Sequence, residues 1–265
     1  MEDVKTGSRS TVAASAIVNA AGPWVGETAE RIQGADRSAG IRLVQGSHIV
    51  LPKLYAHDRA YFFQNPDGPI FFTIPYEDDF TLDGATAAKD ATRDYVLTLH
   101  GGTGAPALLS VFGGKITTYR RLAKEALGKL AEVLSEAGRY AGWTASAKVP
   151  GGDFPVDGAT ALAAALRTEY PFLSEREATR YVRHYGTETR RILGDSRRRE
   201  DLGCVFGGDL TEAEVIHPMD CESAQTAEAV IMRRTRSILR MSPREVDVLA
   251  DWMRSRQRIM TAADV

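Results

Sequence analysis

The segment Leu109-Ser110-Val111-Phe112-Gly113-Gly114-Lys115-Ile116-Thr117-Thr118-Tyr119-Arg120 restricts the fold more than any other part of the chain. An apolar run this short, closed by two glycines, reads as a buried strand that turns sharply. The residues after the turn follow a helical period: Tyr119, Leu122, Ala126, Leu130 and Val133 share one face, and Gly138 is a plausible stop. Strand, glycine turn and helix N-terminus in this order describe one step of a layered structure with helices packed on a sheet.

Such a junction leaves unpaired backbone N–H groups and the positive end of the helix dipole facing outward, which favours an anion. The glycines permit close approach, and Lys115 adds a full charge. A phosphate or the electron-rich edge of a reduced flavin suits it, and on local features alone a simple tight turn suits it equally. It is not a P-loop, because the first glycine of the Walker spacing is absent.

The rest of the first half is strand-rich. Thr11 to Ala20 alternates, then turns apolar, and ends in Asn19-Ala20-Ala21-Gly22-Pro23-Trp24. Ile41 to Leu51, Ala60 to Phe63, Pro69 to Pro75 and Tyr95 to Leu99 carry β-branched and aromatic residues between turn formers. Gly101-Gly102-Thr103-Gly104 reads as a hairpin turn leading into Ala107 to Phe112. The Ala21-Gly22 turn lets backbone approach a ligand, although a plain strand-to-helix turn opened by Pro23 explains it as well. His48, inside an apolar strand, is able to titrate near neutral pH and to take a proton from a hydroxyl. The plainer reading is a hydrogen-bonded structural histidine.

Pro150-Gly151-Gly152-Asp153-Phe154-Pro155 reads as a linker, dividing the chain into residues 1–149 and 150–265. Beyond it the pattern is helical. Ser174 with Glu177, Thr211 with Glu214, and Ser242 with Glu245 match the capping box, Pro243 fits a first helical turn, and Val246, Leu249, Ala250 and Met253 form a stripe.

Charge and cysteine content narrow the partners. A net charge of -2 gives no field that would draw the chain to nucleic acid. The two cysteines, Cys204 and Cys221, lack metal-ligand spacing, so no metal site is expected and a reducing, cytoplasmic setting is the default. No apolar run reaches the roughly 20 residues of a spanning helix, so contact with a membrane would be peripheral.

Three stretches, taken together and in order, resemble the aerobic, FAD-dependent glycerol-3-phosphate dehydrogenases, within the wider D-amino-acid-oxidase-like flavoenzymes. They are Val18 through Trp24, Arg42 through Val50 (RLVQGSHIV), and Leu109 through Arg120. The similarity continues through Thr92-Arg93-Asp94-Tyr95, the Pro150-Gly151-Gly152 linker, Tyr170 to Leu173 and Met232 to Thr235. It implies an α+β fold: a partial FAD-binding and substrate-domain sheet, mixed or antiparallel, followed by an all-helical C-terminal domain. By the same resemblance, Ala21 and Gly22 approach FAD through backbone, and Gly113, Gly114, Lys115, Ile116 and Thr117 lie along the pyrimidine side of the isoalloxazine. Lys115 reaches toward the substrate pocket, and His48 is a candidate base for the C2 hydroxyl of glycerol 3-phosphate. The implied reaction yields dihydroxyacetone phosphate and passes electrons to a membrane quinone. Peripheral contact at the inner face of the membrane and a homodimer fit the same picture.

Two departures accompany the matches. The family opens with a GxGxxG strand-turn-helix for the FAD pyrophosphate, and the matching region here begins after it. Gly101 to Pro106 lacks the third glycine and leads into a strand, so it is no substitute. In the middle, Gly84-Ala85-Thr86 runs almost directly into Ala88 to Arg93, where relatives hold a long stretch ending in an arginine that reads the substrate phosphate; Arg93 itself belongs to the strand after that gap. Weak or absent FAD binding and exposed apolar sheet surface are the expected consequences. Rival readings are a catalytically inactive fragment, a related amine or amino-acid flavin oxidase, and a helical interaction module. The last rests on eight arginines between Met232 and Arg258 against Glu245, Asp247 and Asp251.

Overall fold

The computed structural model describes residues 2–3, 6–32, 46–52, 55–66, 70–76, 79–85, 94–102, 105–134 and 142–263. The expected strand portion at 41–45, the helix stop at Gly138, the turn residues Thr103 and Gly104, and the segment 86–93 around the internal departure lie outside these. The chain forms two compact units, Met1–Ala145 and Ser146–Val265.

The first unit holds two sheets. One has the order β1-β7-β6, from β1 (Ala16–Asn19), β7 (Ala105–Gly113) and β6 (Tyr95–Gly102). β7 is the middle strand, and Ala107, Leu108, Leu109, Ser110 and Val111 are all buried. A strand covered on both faces reads as a continuous apolar run, which is the pattern seen in its sequence. β6 and β7 form an antiparallel hairpin with Gly102 opposite Ala105, whereas β1 pairs with β7 in parallel, Ala16 with Ala107 through Asn19 with Ser110. Helix α1 (Val25–Arg31) is buried at Val25 and Ala29, and α2 (Tyr119–Leu130) at Leu130. Among the described residues, no strand pairs with the outer edge of β1, and Ile17 and Val18 are about half exposed there.

The second sheet is antiparallel throughout, in the order β2-β5-β4-β3: β2 (Gly46–Pro52), β5 (Asp79–Ala85), β4 (Ile70–Tyr76) and β3 (Tyr61–Gln64). Its outer hairpin is held by ring pairs, Phe63 stacked on Phe71 at 4.8 Å and Phe62 edge-on to Phe72 at 5.3 Å.

The second unit carries α3 (Ala159–Glu169), α4 (Glu175–Tyr185), α5 (Thr189–Leu193), α6 (Glu212–Cys221) and α7 (Pro243–Ala263). Leu166, Ala178, Tyr181 and Leu193 lie in one core cluster; Leu210, Val215, Val230, Leu249 and Met253 lie in another. The expected Ser174–Glu177 and Ser242–Glu245 caps form with reciprocal hydrogen bonds. At α6 only half of the box appears. The Glu214 N–H donates to Thr211 Oγ1, but its carboxylate is drawn inward to Arg180 at 2.6 and 2.7 Å and accepts from Tyr185 Oη at 2.9 Å. A short hairpin, β8 (Val205–Gly207) with β9 (Leu210–Thr211), interrupts the helices. The Pro150–Pro155 segment is fastened rather than free, because Thr187 N–H donates to Gly151 O at 3.0 Å.

Candidate functional site

β1 and β7 are the one parallel pair among the described strands, so both leave the sheet at the same edge. In sheets with parallel strands, ligands bind outside the carboxyl ends, where loops diverge and helix N-termini point outward. Both glycine turns singled out from the sequence lie at this edge.

The turn after β1 is fastened by a buried side chain. Asn19 is 2% exposed, and its Nδ2 donates to Val25 O at 2.9 Å, tying the strand end to the start of α1. Trp24 N–H closes the turn on Ala21 O at 3.1 Å. Gly22 takes a φ of 57°, and nothing lies within 4 Å of where a side chain would start. That backbone is open to an incoming group. Trp24 beside it is 63% exposed.

The turn after β7 is tighter. Gly113 and Gly114 have φ of 70° and 103°, values that other residues rarely adopt. A Cβ at Gly114 would come within 3.2 Å of Leu122 Cδ1. Lys115 then returns to extended backbone, Thr118 Oγ1 donates to Lys115 O at 3.0 Å, and a single tight turn of Ile116–Thr118 runs into α2. Lys115, Ile116 and Thr117 are exposed, Ile116 at 87%. The edge therefore presents a lysine, a helix N-terminus and two glycines at positive φ, with apolar Ile116 and Trp24 uncovered. On α2, the Tyr95 phenol first and the Arg121 guanidinium second hold the Glu125 carboxyl below its usual range. Arg121 Nε reaches Glu125 Oε1 at 3.0 Å.

Ala21 and Gly22 thus share an edge with Gly113, Gly114, Lys115, Ile116 and Thr117. His48 does not: it lies in β2 of the other sheet, opposite Asp83, and its side chain is outside the described residues. The sequence reading missed a polar row across the first sheet, Asn19 opposite Ser110 and Ser110 opposite Thr98. An asparagine and a serine inside apolar runs were its available signal. Among the described residues, no group of three His, Cys, Asp or Glu is placed to hold a metal, and no helix is long and apolar enough to cross a membrane.

Comparison with known proteins gives two family matches. Residues 2–165 match the FAD dependent oxidoreductases, and residues 142–257 match the C-terminal domain of alpha-glycerophosphate oxidase. A glycerol-3-phosphate dehydrogenase of Pseudomonas aeruginosa is 36% identical over 303 residues, covering 94% of this chain and 59% of the relative. The aerobic glycerol-3-phosphate dehydrogenase of Escherichia coli is 32% identical over 306 residues, covering 95% and 60%. D-erythritol 1-phosphate dehydrogenase of Brucella abortus is 33% identical over 301, covering 93% and 59%. The chain spans about three-fifths of the length of these relatives. The matched spans also exceed the chain's 265 residues, so each relative holds residues within the span that have no counterpart here.

Proposed function

The chain belongs to the FAD dependent oxidoreductase family, and we propose that it carries the flavin-ring and substrate side of a dehydrogenase acting on a phosphorylated polyol, with sn-glycerol 3-phosphate oxidised to dihydroxyacetone phosphate. The observation that carries this reading is the meeting of the Gly22 and Gly113-Gly114-Lys115 turns at one edge of a parallel strand pair. The erythritol phosphate dehydrogenase among the relatives broadens the substrate class to polyol phosphates, whose oxidised carbon bears a hydroxyl and whose far end bears a phosphate.

These residues fit a flavin ring: two glycine backbones that allow close approach, a helix N-terminus, and an exposed cation. When bound, FAD supplies the acceptor for the hydride that leaves the substrate carbon. The amides of Gly114, Ile116 and Thr117 would face the pyrimidine edge of the ring. With Lys115 they would stabilise the negative charge that develops there. Ala21 and Gly22 would meet the ring system through backbone. His48 would accept the proton of the reacting hydroxyl, which requires β2 to approach this edge. Electrons would pass on to a membrane quinone through peripheral contact with the bilayer.

FAD affinity would be weak. These 265 residues contain no GxGxxG turn for the pyrophosphate, so only the ring-side contacts remain. The test is flavin absorbance of the purified chain, followed by titration with FAD and addition of glycerol 3-phosphate or erythritol 1-phosphate. Weak uptake without co-purified flavin supports the account. Flavin that survives purification and bleaches with substrate would show that the pyrophosphate contacts are replaced, and would contradict the weak-binding claim.

A further inference from the structure

The turn after β7 lies in a slot. A Cβ at Gly113 would come within 3.1 Å of Asp94 O, and one at Gly114 within 3.2 Å of Leu122 Cδ1 and 3.5 Å of Tyr95 Cβ. The start of β6 therefore closes one side of the turn and α2 the other, and Gly113 itself pairs with Tyr95 across the hairpin. Tyr95 is partly buried, and its phenol oxygen is closed off from solvent without a hydrogen bond of regular geometry. Burial first and the Glu125 carboxylate second hold that phenol above its usual range, in keeping with the far end of the ring lying against α2, one turn beyond Leu122.

We propose that Tyr95 is a positioning residue: its ring, wedged between the start of β6 and α2, holds Gly113 to Thr118 in the shape that leaves the Gly114, Ile116 and Thr117 amides to an incoming group. Two consecutive glycines at positive φ give this segment wide backbone freedom, so its shape has to come from its neighbours. Groups that meet a ligand are held in place by side chains packed behind them. The ring carries this role and the hydroxyl does not, because the hydroxyl closes no regular hydrogen bond. What the bracing does for flavin binding rests on the flavin reading above; the bracing itself does not.

Hydrogen–deuterium exchange of the full chain without flavin tests the bracing, on Tyr95→Ala and Tyr95→Phe beside the parent. Exchange at residues 113–118 should rise about tenfold or more in Tyr95→Ala and stay at the parent's rate in Tyr95→Phe, with residues 20–25 and the second unit unchanged. FAD titration of the same variants should give an affinity about tenfold weaker for Tyr95→Ala and unaltered for Tyr95→Phe. Should Tyr95→Ala fail to fold, Tyr95→Leu takes its place, since it keeps apolar bulk but is too short to span the slot. Unchanged exchange at 113–118 overturns the proposal. So does an equal rise throughout the first unit, or loosening by Tyr95→Phe as large as that by Tyr95→Ala. A parent chain on which FAD has no effect would count against the flavin reading instead, and the exchange comparison without flavin would still decide the role of Tyr95.

Discussion

Asn19 of β1 and Ser110 of β7 lie directly opposite each other across parallel strands, both about 97–98% removed from solvent, at the edge where the two glycine turns begin. Asn19 spends one side of its amide on Val25 O. Its Oδ1 has no hydrogen-bond partner among the described residues. A buried unpaired acceptor is costly, so this asparagine holds the turn at some expense to stability.

Replacing Asn19 with Ala removes the bond to Val25 O and relieves the unpaired Oδ1 at once. The two effects oppose each other, and the net change in unfolding free energy should stay near 1 kcal/mol. The turn itself should loosen. Amide exchange at residues 22–25 would rise in the variant, and unchanged exchange there would show that Asn19 does not fasten the turn.

Gly114→Val should be more disruptive than Gly22→Ala. Both positions have positive φ, at roughly 1–2 kcal/mol for a residue with a side chain. Only Gly114 also faces a neighbour, Leu122 at 3.2 Å, whereas Gly22 opens onto empty space. Urea unfolding of the two variants beside the parent should give that order.

The Arg180–Glu214 pair joins α4 to α6 with both side chains nearly inaccessible, at 8% and 0% exposure. Removing one partner strands the other as a buried charge. Glu214→Leu or Arg180→Met alone should therefore cost about 3–5 kcal/mol, and the double variant should recover much of it. Thermal or urea unfolding of the three variants measures the recovery. A loss in the double variant equal to the sum of the two single losses would mean the charges are not coupled.

Acid should weaken the second unit at its helix caps. Burial pushes the Glu177 carboxyl up, but the Ser174 hydroxyl and amide, with Arg199, outweigh it and leave the group below the usual 4.5. A carboxyl depressed in the folded state contributes stability that is fully present above its unfolded pKa and is lost as pH falls through the folded value. Glu245, held down by the Ser242 amide and hydroxyl, acts in the same direction. Unfolding free energy should accordingly decline below about pH 4.5, and Glu177→Gln should flatten that decline.

The sequence makes some elements plain and hides others for definite reasons. β7 is legible because a middle strand is apolar along nearly its whole length, Ser110 apart, and its glycine turn marks where the chain must reverse. The strand expected over Thr11 to Ala20 shrinks to Ala16–Asn19, because pairing with β7 begins only where Ala107 N–H reaches Ser15 O. Strands of three and two residues carry no readable period, so the β8–β9 hairpin is silent in the sequence. At Thr211 the box pattern is present, yet a buried arginine far along the chain claims Glu214. Likewise, the wide helical turn at Ala229–Arg234 is set by Thr235, whose N–H and hydroxyl both bond Val230 O. Of the site, both turns are legible, but their meeting is not, since it depends on the parallel register of two strands about 90 residues apart. The relation of His48 to that edge has no local signature at all.

Hydrogen–deuterium exchange of the full chain with and without a large excess of FAD locates the flavin ring. Slowed exchange is expected at residues 20–24 and 113–118, with the second unit's buried helices unchanged. Exchange that stays the same at both turns under saturating FAD would contradict the placement of the flavin ring at the β1–β7 edge.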